Sequence, residues 1–392
     1  MTFSARLDDL RGGRSLDFPE FASVVSAHSV AEVVPALRSV QQAADAGSWA
    51  VGYVAYEAAS AFDPVLRTAP AGDLPLVWFG LSPGPQPGPG AVPPAEYSAG
   101  PWHDDWDFSR YRSAFTAVHD AIAAGDTYQC NLTTRLTSAF EGDPRGLYAD
   151  LKHAQRGAHN AYLDLGDHVV VSASPELFFR LDGRSLLLRP MKGTAPRGAT
   201  APADTALADA LRTSEKERAE NVMIVDLLRN DAAHIAEIGT VDVPALFRLE
   251  HYPTVHQLTS DVTAQLRPDV DLVDVFRALF PCGSVTGAPK ASTMALIADL
   301  ESGPRGVYCG AIGVVEPGRQ AQFSVAIRTA VIDRRTGLAT YGVGSGVTWP
   351  SVAEVEYAEL RAKTQVLSHA EGTRSRRDIS RKTDGRHPVG QM

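Results

Sequence analysis

In residues 107–125, DFSRYRSAFTAVHDAIAAG, the apolar side chains Tyr111, Phe115, Val118 and Ile122 recur at intervals of three and four, and Gly125 stands where a helix stops. The spacing predicts a helix. Residues 161–190, AYLDLGDHVVVSASPELFFRLDGRSLLLRP, are rich in Val, Leu and Phe in short runs, which predicts several strands with Asp182-Gly183 as a two-residue turn. That meander delivers Lys192 just past a strand end, in RPMKGTAPRG, where Gly193, Pro196 and Gly198 forbid a long helix. Residues 214–236 open with the capping pattern Ser214-x-x-Glu217 and run through VMIVDLL, which predicts a buried helix. The segments GVYCGAIGVV, QFSVAIRTAVI and LATYGVGSGV predict a second run of strands, and a last helix covers 352–368. Antiparallel strand runs divided by long helices indicate α+β layers rather than regular βαβ alternation.

Residues 82–94, SPGPQPGPGAVPP, suit neither helix nor ladder. They divide the chain into an N-terminal lobe (1–81), a Pro/Gly-rich loop (82–101) and a long region (102–369). The final stretch, 370–392, is charged and nearly free of large apolar side chains, the composition of a disordered tail. With 37 Lys and Arg against 46 Asp and Glu, the net charge is −9, which argues against a nucleic-acid partner held by phosphate neutralisation. No run approaches the ~18 apolar residues of a membrane span, and the N-terminus is too polar for a secretory signal. Three well-separated cysteines, Cys130, Cys282 and Cys309, fit small buried hydrophobes in a reducing cytoplasmic setting.

Candidate chemistry lies on the predicted helices. Glu217 with Glu220, and Glu356 with Glu359, stand three residues apart, so each pair shares a helix face. Two such faces can hold a hard cation such as Mg²⁺. The same residues can equally serve as a capping-box glutamate (Glu217) and a surface ion pair (Glu359 with Lys363). The run PCGSVTGAPK, 281–290, can form a backbone anion cradle, though it does not match a nucleotide phosphate loop. The glycines of YGVGSGV, 341–347, allow close approach of a ligand or a tight turn. Lys192 alone is a solvated charge or, where burial lowers its pKa, a nucleophile.

Together these segments resemble the chorismate-utilising enzymes, and among their branches most nearly the aminodeoxychorismate synthase component I group. The resemblance is carried, in family order, by GDTYQCNLT (125–133), SPELFF (174–179), PMKGT (190–194), EKERAENVMIVDLLRND (215–231), YPTVHQLTS (252–260), PCGSVTGAPK, GVYCGAIG, AIRTA (326–330), GVGSGV (342–347) and EVEYAELRAK (354–363). It implies a four-layer α/β/β/α sandwich of the anthranilate synthase component I type, with chorismate and Mg²⁺ in a central cleft. By similarity Glu220 and Glu359 would ligate the metal, supported by Glu217 and Glu356. Gly344 and Gly346 would donate backbone N–H groups, Tyr308 and Arg328 would grip the enolpyruvyl carboxylate, and Gln129, Thr194, Gln257, Thr286 and Lys363 would line the pocket. His256 beside Gln257 leaves open which of the two faces it.

The resemblance also implies a reaction. Anthranilate synthases usually carry alanine where Lys192 stands, whereas the branch that aminates C4 of chorismate carries lysine. Lys192 would attack C2, Glu176 would protonate the departing hydroxyl as a general acid, and ammonia would then replace the lysine. Gln129 occupies the position of the lysine base of isochorismate and salicylate synthases, and an amide cannot serve as that base. With no glutaminase-type cysteine elbow in the chain, ammonia would come from a separate glutamine amidotransferase subunit, and a lyase would act downstream. Anthranilate synthase component I is the alternative reading. A non-catalytic chorismate-binding protein is the second, against which Lys192, Glu176 and the four helix carboxylates argue.

Overall fold

The computed structural model describes residues 3–86, 95–252 and 255–367. Two ten-stranded, wholly antiparallel sheets dominate it. One runs through Gly287–Ala288, Gln129–Gly142, Leu338–Thr348, Thr329–Asp333, His168–Ser174, His159–Asp164, Ser4–Asp9 and Arg14–Phe18, with Tyr97–Ala99 and His103–Asp104 also on the Gln129–Gly142 strand. The other runs through Met191–Pro196, Val255–Gln265, Ser185–Arg189, Leu177–Asp182, Gln320–Val325, Ala311–Glu316, Trp49–Val54, Val77–Ser82 and Ser23–Ala27, with Asp242–His251 paired to Val255–Gln265. The first 82 residues therefore supply strands to both sheets.

Three apolar clusters set the layers. Phe18, Tyr53, Trp78, Leu163, Val170 and Ile312, drawn from strands of both sheets, pack between them. Helices Val30–Asp45, Glu215–Ala233 and Leu272–Leu279 cover the outer face of the second sheet. Helices Phe108–Ala124 and Pro144–Gln155, with a final helix over 353–367, cover the first. This is the α/β/β/α sandwich that the resemblance implied. No described helix is long and apolar enough to cross a membrane.

The local signals explain most elements. Phe108–Ala124 buries Tyr111, Phe115 and Val118, starts on an Asp107 cap and stops at Gly125, whose φ of 81° suits glycine. The meander turn falls one residue later than expected: Asp182 pairs with Ser185 across Gly183 and Arg184. Glu215–Ala233 begins on Ser214, which accepts the Glu217 N–H. Only one face of that helix is buried, through Asn221, Ile224, Val225, Leu228, Asp231 and Ala232, while Val222 stays exposed. The run VMIVDLL overstates burial because a helix turns every third or fourth residue of it outward.

Candidate active site

The floor of the site is a glycine-rich stretch on one face of a strand. Gly342, Gly344 and Gly346 lie two apart in Leu338–Thr348, so they share a face. A Cβ on Gly342 would stand 2.3 Å from the Tyr308 ring, one on Gly344 2.5 Å from Thr133 Cγ2, and one on Gly346 2.9 Å from Lys192 Nζ. The strand keeps an unbroken register with its neighbour from Gln129↔Thr348 to Ala139↔Leu338, so the glycines serve close approach and not a bulge. Gln129 comes in from that neighbour, 3.5 Å from the same point above Gly346. It is buried, and neither amide atom has a hydrogen-bond partner.

Lys192 reaches this floor from the other sheet. Pro190 breaks the strand before it, and Met191–Pro196 resumes pairing with Val255–Gln265 with a register shift between Met191 and Thr194. Behind it, the Lys192 carbonyl accepts from Asn221 Nδ2 at 3.4 Å, and Asn221 Oδ1 accepts from Ser260 Oγ at 2.6 Å. Gly193, at φ 93°, lets the helix carrying Glu217 come close; a Cβ there would lie 3.1 Å from Glu217 Oε2. The ammonium charge acts on Glu176, Glu217, Glu359 and Lys363, so strand and helix residues distant in sequence converge on it.

Glu176 lies just before strand Leu177–Asp182, buried, and accepts from Ser284 Oγ at 2.8 Å. Burial pushes its carboxyl up to about 7, against the opposing pull of Ser284 and Lys192. A carboxylic acid held near neutrality can deliver a proton at neutral pH.

The four glutamates arrive from two helices. Burial raises Glu217, and the charges of Glu220 and Glu359 raise it further. Glu356 is likewise raised by burial and accepts from Ser351 Oγ at 2.8 Å. For Glu359 burial works upward, but Lys363, 2.8 Å away, wins and holds it below the ordinary value. Its side chain stays 54% exposed. Burial lowers Lys363, which also donates to the Gly344 carbonyl at 2.9 Å. Lys216 stands 3.9 Å from Glu220. Among the described residues no three His, Cys, Asp or Glu side chains converge tightly enough to cage a metal. Mg²⁺ needs only one or two protein carboxylates, with water and substrate oxygens completing its shell. The donor set fits that demand, because a cation between the helices would relieve the repulsion among Glu217, Glu220 and Glu359.

The remaining expected residues separate into groups. Thr194 donates to Gln257 at 3.1 Å, two residues from Lys192. His256 is fully buried between His251 and Asp204, so Gln257 is the one turned to Thr194. Arg328, in a left-handed backbone conformation at φ 54°, donates to the Lys363 carbonyl. Tyr308 is buried against Gly342, and its segment is tied to that of Arg328 by Cys309 N–H donating to Ala326 O at 3.0 Å. Thr286 turns its hydroxyl back to the Cys282 carbonyl at 3.0 Å.

The anion-cradle reading of 281–290 is corrected. Val285 and Thr286 N–H groups are used within the turn, and Lys290 is tied to Asp231 and the Leu279 carbonyl. Asn221, Ser260 and Ser284 were missed, because a buried polar residue that positions another has no signature of its own in sequence. Asn221 directly follows Glu220, and only the fold shows its role.

The two sheets and their helices bring Lys192 beside Glu176 and the glutamate-bearing helices, and comparison with known proteins assigns the family. A family model described as chorismate binding enzyme matches residues 87–369, and the chain belongs to that family. Aminodeoxychorismate synthase from Streptomyces griseus is 43% identical over 271 residues, covering 69% of this chain and 37% of the relative. Aminodeoxychorismate synthase component 1 of Escherichia coli (strain K12) is 38% identical over 258 residues, 66% of this chain and 56% of that one. Anthranilate synthase component 1 of Aquifex aeolicus is 37% identical over 273 residues, covering 67% and 55%. The chain spans about half the length of the curated relatives it matches. In fold it is similar to the crystal structure of anthranilate synthase component I from Streptococcus pneumoniae TIGR4, with TM-score 0.73 and 23% identity over 94% of this chain and 90% of that one.

Proposed function

We propose that the protein replaces the C4 hydroxyl of chorismate by ammonia, giving 4-amino-4-deoxychorismate. The observation that carries this reading is Lys192 Nζ, set over Gly346 and electrostatically coupled to the buried acid Glu176. A substrate ring held beside Gly346 would offer C2 to the amine. Lys192, as the free amine, attacks C2 as the C4 hydroxyl leaves with the proton of Glu176, as water. Ammonia then attacks C4 and expels the lysine from C2, so two displacements retain configuration. Gln129, with a free amide and no basic nitrogen, can bind a hydroxyl or ammonia but cannot activate water at C2.

Glu220 and Glu359 would hold Mg²⁺, with Glu217 and Glu356 beside them, and the ion would supply positive charge for the ring carboxylate. Backbone N–H groups of Gly344 and Gly346 would donate to the same carboxylate, Tyr308 and Arg328 would take the enolpyruvyl carboxylate, and Thr194, Gln257, Thr286 and Lys363 would border the ring. Relatives named component 1 support a second component, for which a glutamine amidotransferase delivering ammonia is the natural chemistry. A lyase would consume the product in forming 4-aminobenzoate, and the setting is cytoplasmic.

The anthranilate synthase relatives support the competing reading, in which Lys192 is a bystander. Mass-resolved product analysis with chorismate, Mg²⁺ and ammonium at mildly alkaline pH decides between them. Aminodeoxychorismate should accumulate with wild type and fall at least about a thousandfold with Lys192→Ala. Anthranilate with pyruvate, or a fully active variant, would reject the proposal.

A further inference from the structure

Behind Glu176 lies a short chain of hydrogen-bonding groups that the reaction above does not use. Ser284, in the turn Gly283–Val285, places Oγ 2.8 Å from Glu176 Oε1, and Cys282 Sγ lies 3.2 Å from that same Oγ. All three side chains are buried. A hydroxyl has one proton and can donate it to only one of these neighbours. A carboxylate oxygen is a far better acceptor than sulfur, so the proton goes to Glu176 and the thiol donates to the serine. Burial pushes Cys282 up to about 12, which keeps on the sulfur the proton this direction requires. With Oε1 already accepting from Ser284, a proton taken up by the carboxyl is directed to Oε2.

We propose that Ser284, backed by Cys282, is a positioning residue that fixes the transferable proton of Glu176 on Oε2. This rests on reading Glu176 as the general acid. A serine hydroxyl turned the other way would let the acid proton point into the Gly283–Val285 turn, away from any leaving group. The other groups that act on the carboxyl are the Lys192 ammonium and the Met191 backbone N–H, and both favour its ionised form, as Ser284 does. Removing Ser284 therefore misplaces the proton and makes it harder to release.

The test compares wild type, Ser284→Ala and Ser284→Thr in the chorismate and ammonium assay, with free ammonia held constant across pH. Infrared titration of the protonated carboxyl stretch, assigned by difference from Glu176→Gln, runs beside it. Ser284→Ala should lower kcat about tenfold with KM within about twofold, and should move both the alkaline limb and the infrared midpoint up by about one pH unit. Ser284→Thr, which keeps the hydroxyl, should restore both. A Ser284→Ala profile and midpoint that superimpose on wild type would overturn the proposal. Should the alanine variant misfold, Ser284→Cys, a weaker donor of similar size, should give an intermediate upward shift; an unshifted midpoint there also overturns it. If Glu176→Gln keeps full turnover, the acid assignment itself falls, and the infrared midpoint still decides whether Ser284 governs the proton.

Discussion

Glu176 shows how a single residue trades stability for chemistry. Its carboxyl titrates near 7 in the folded chain against an ordinary 4.5, because burial disfavours the charge. A folded pKa raised in this way favours the folded state fully below about pH 4.5, and that advantage is lost as pH rises through 7. The difference of 7 − 4.5 corresponds to about 3 kcal/mol. Glu176→Gln, which stays neutral and can still accept from Ser284, should resist urea better than wild type at pH 8 and lose its lead near pH 4.5. A lead that does not change with pH would show that the carboxyl is not the source. Lys192 and Glu176 were legible as candidates because their blocks follow the family order. The burial that tunes Glu176 was not, since it depends on which turn of the chain is laid over SPELFF.

At the scale of elements, the strand Leu338–Thr348 and the helix Glu215–Ala233 do opposite work. The strand clears space, and the helix fills it with carboxylates and with Asn221, whose amide ties the Lys192 carbonyl to Ser260. Gly346→Ala should leave the melting temperature almost unchanged, since Lys192 can swing aside, while kcat/KM falls about a hundredfold as the amine is displaced. Wild-type turnover in that variant would mean that the amine does not work from the position it holds over the floor. Periodicity located both elements. It could not tell the glycine face from a turn, because a bulge and a close approach use the same residue, and only the unbroken pairing with Gln129–Gly142 separates them. Nor could it reveal that the VMIVDLL helix buries a single face.

For the whole molecule, the sandwich brings together a lysine from one sheet, a floor from the other and carboxylates from two helices, all in a chain of net charge −9. On the proposed reading, such a protein would gain from a cation between the two helices. Mg²⁺ at a hundredfold excess over its dissociation constant should stabilise the folded chain by about 2.7 kcal/mol, seen as a rise in melting temperature. The rise should vanish in Glu220→Ala and Glu359→Ala, and its persistence there would place the ion elsewhere. The α+β layering followed from strand runs and long helices, whereas the order of strands within each sheet had no signature in the sequence. The glycine floor carries one further consequence. At Gly346 its surface is main chain, so amino-acid exchange there can obstruct it but cannot recolour it chemically. Any change of product during divergence has therefore to be written on the side chains around it, at positions such as 129 on the adjoining strand and 192 on the other sheet, while the main chain at Gly346 is inherited unaltered.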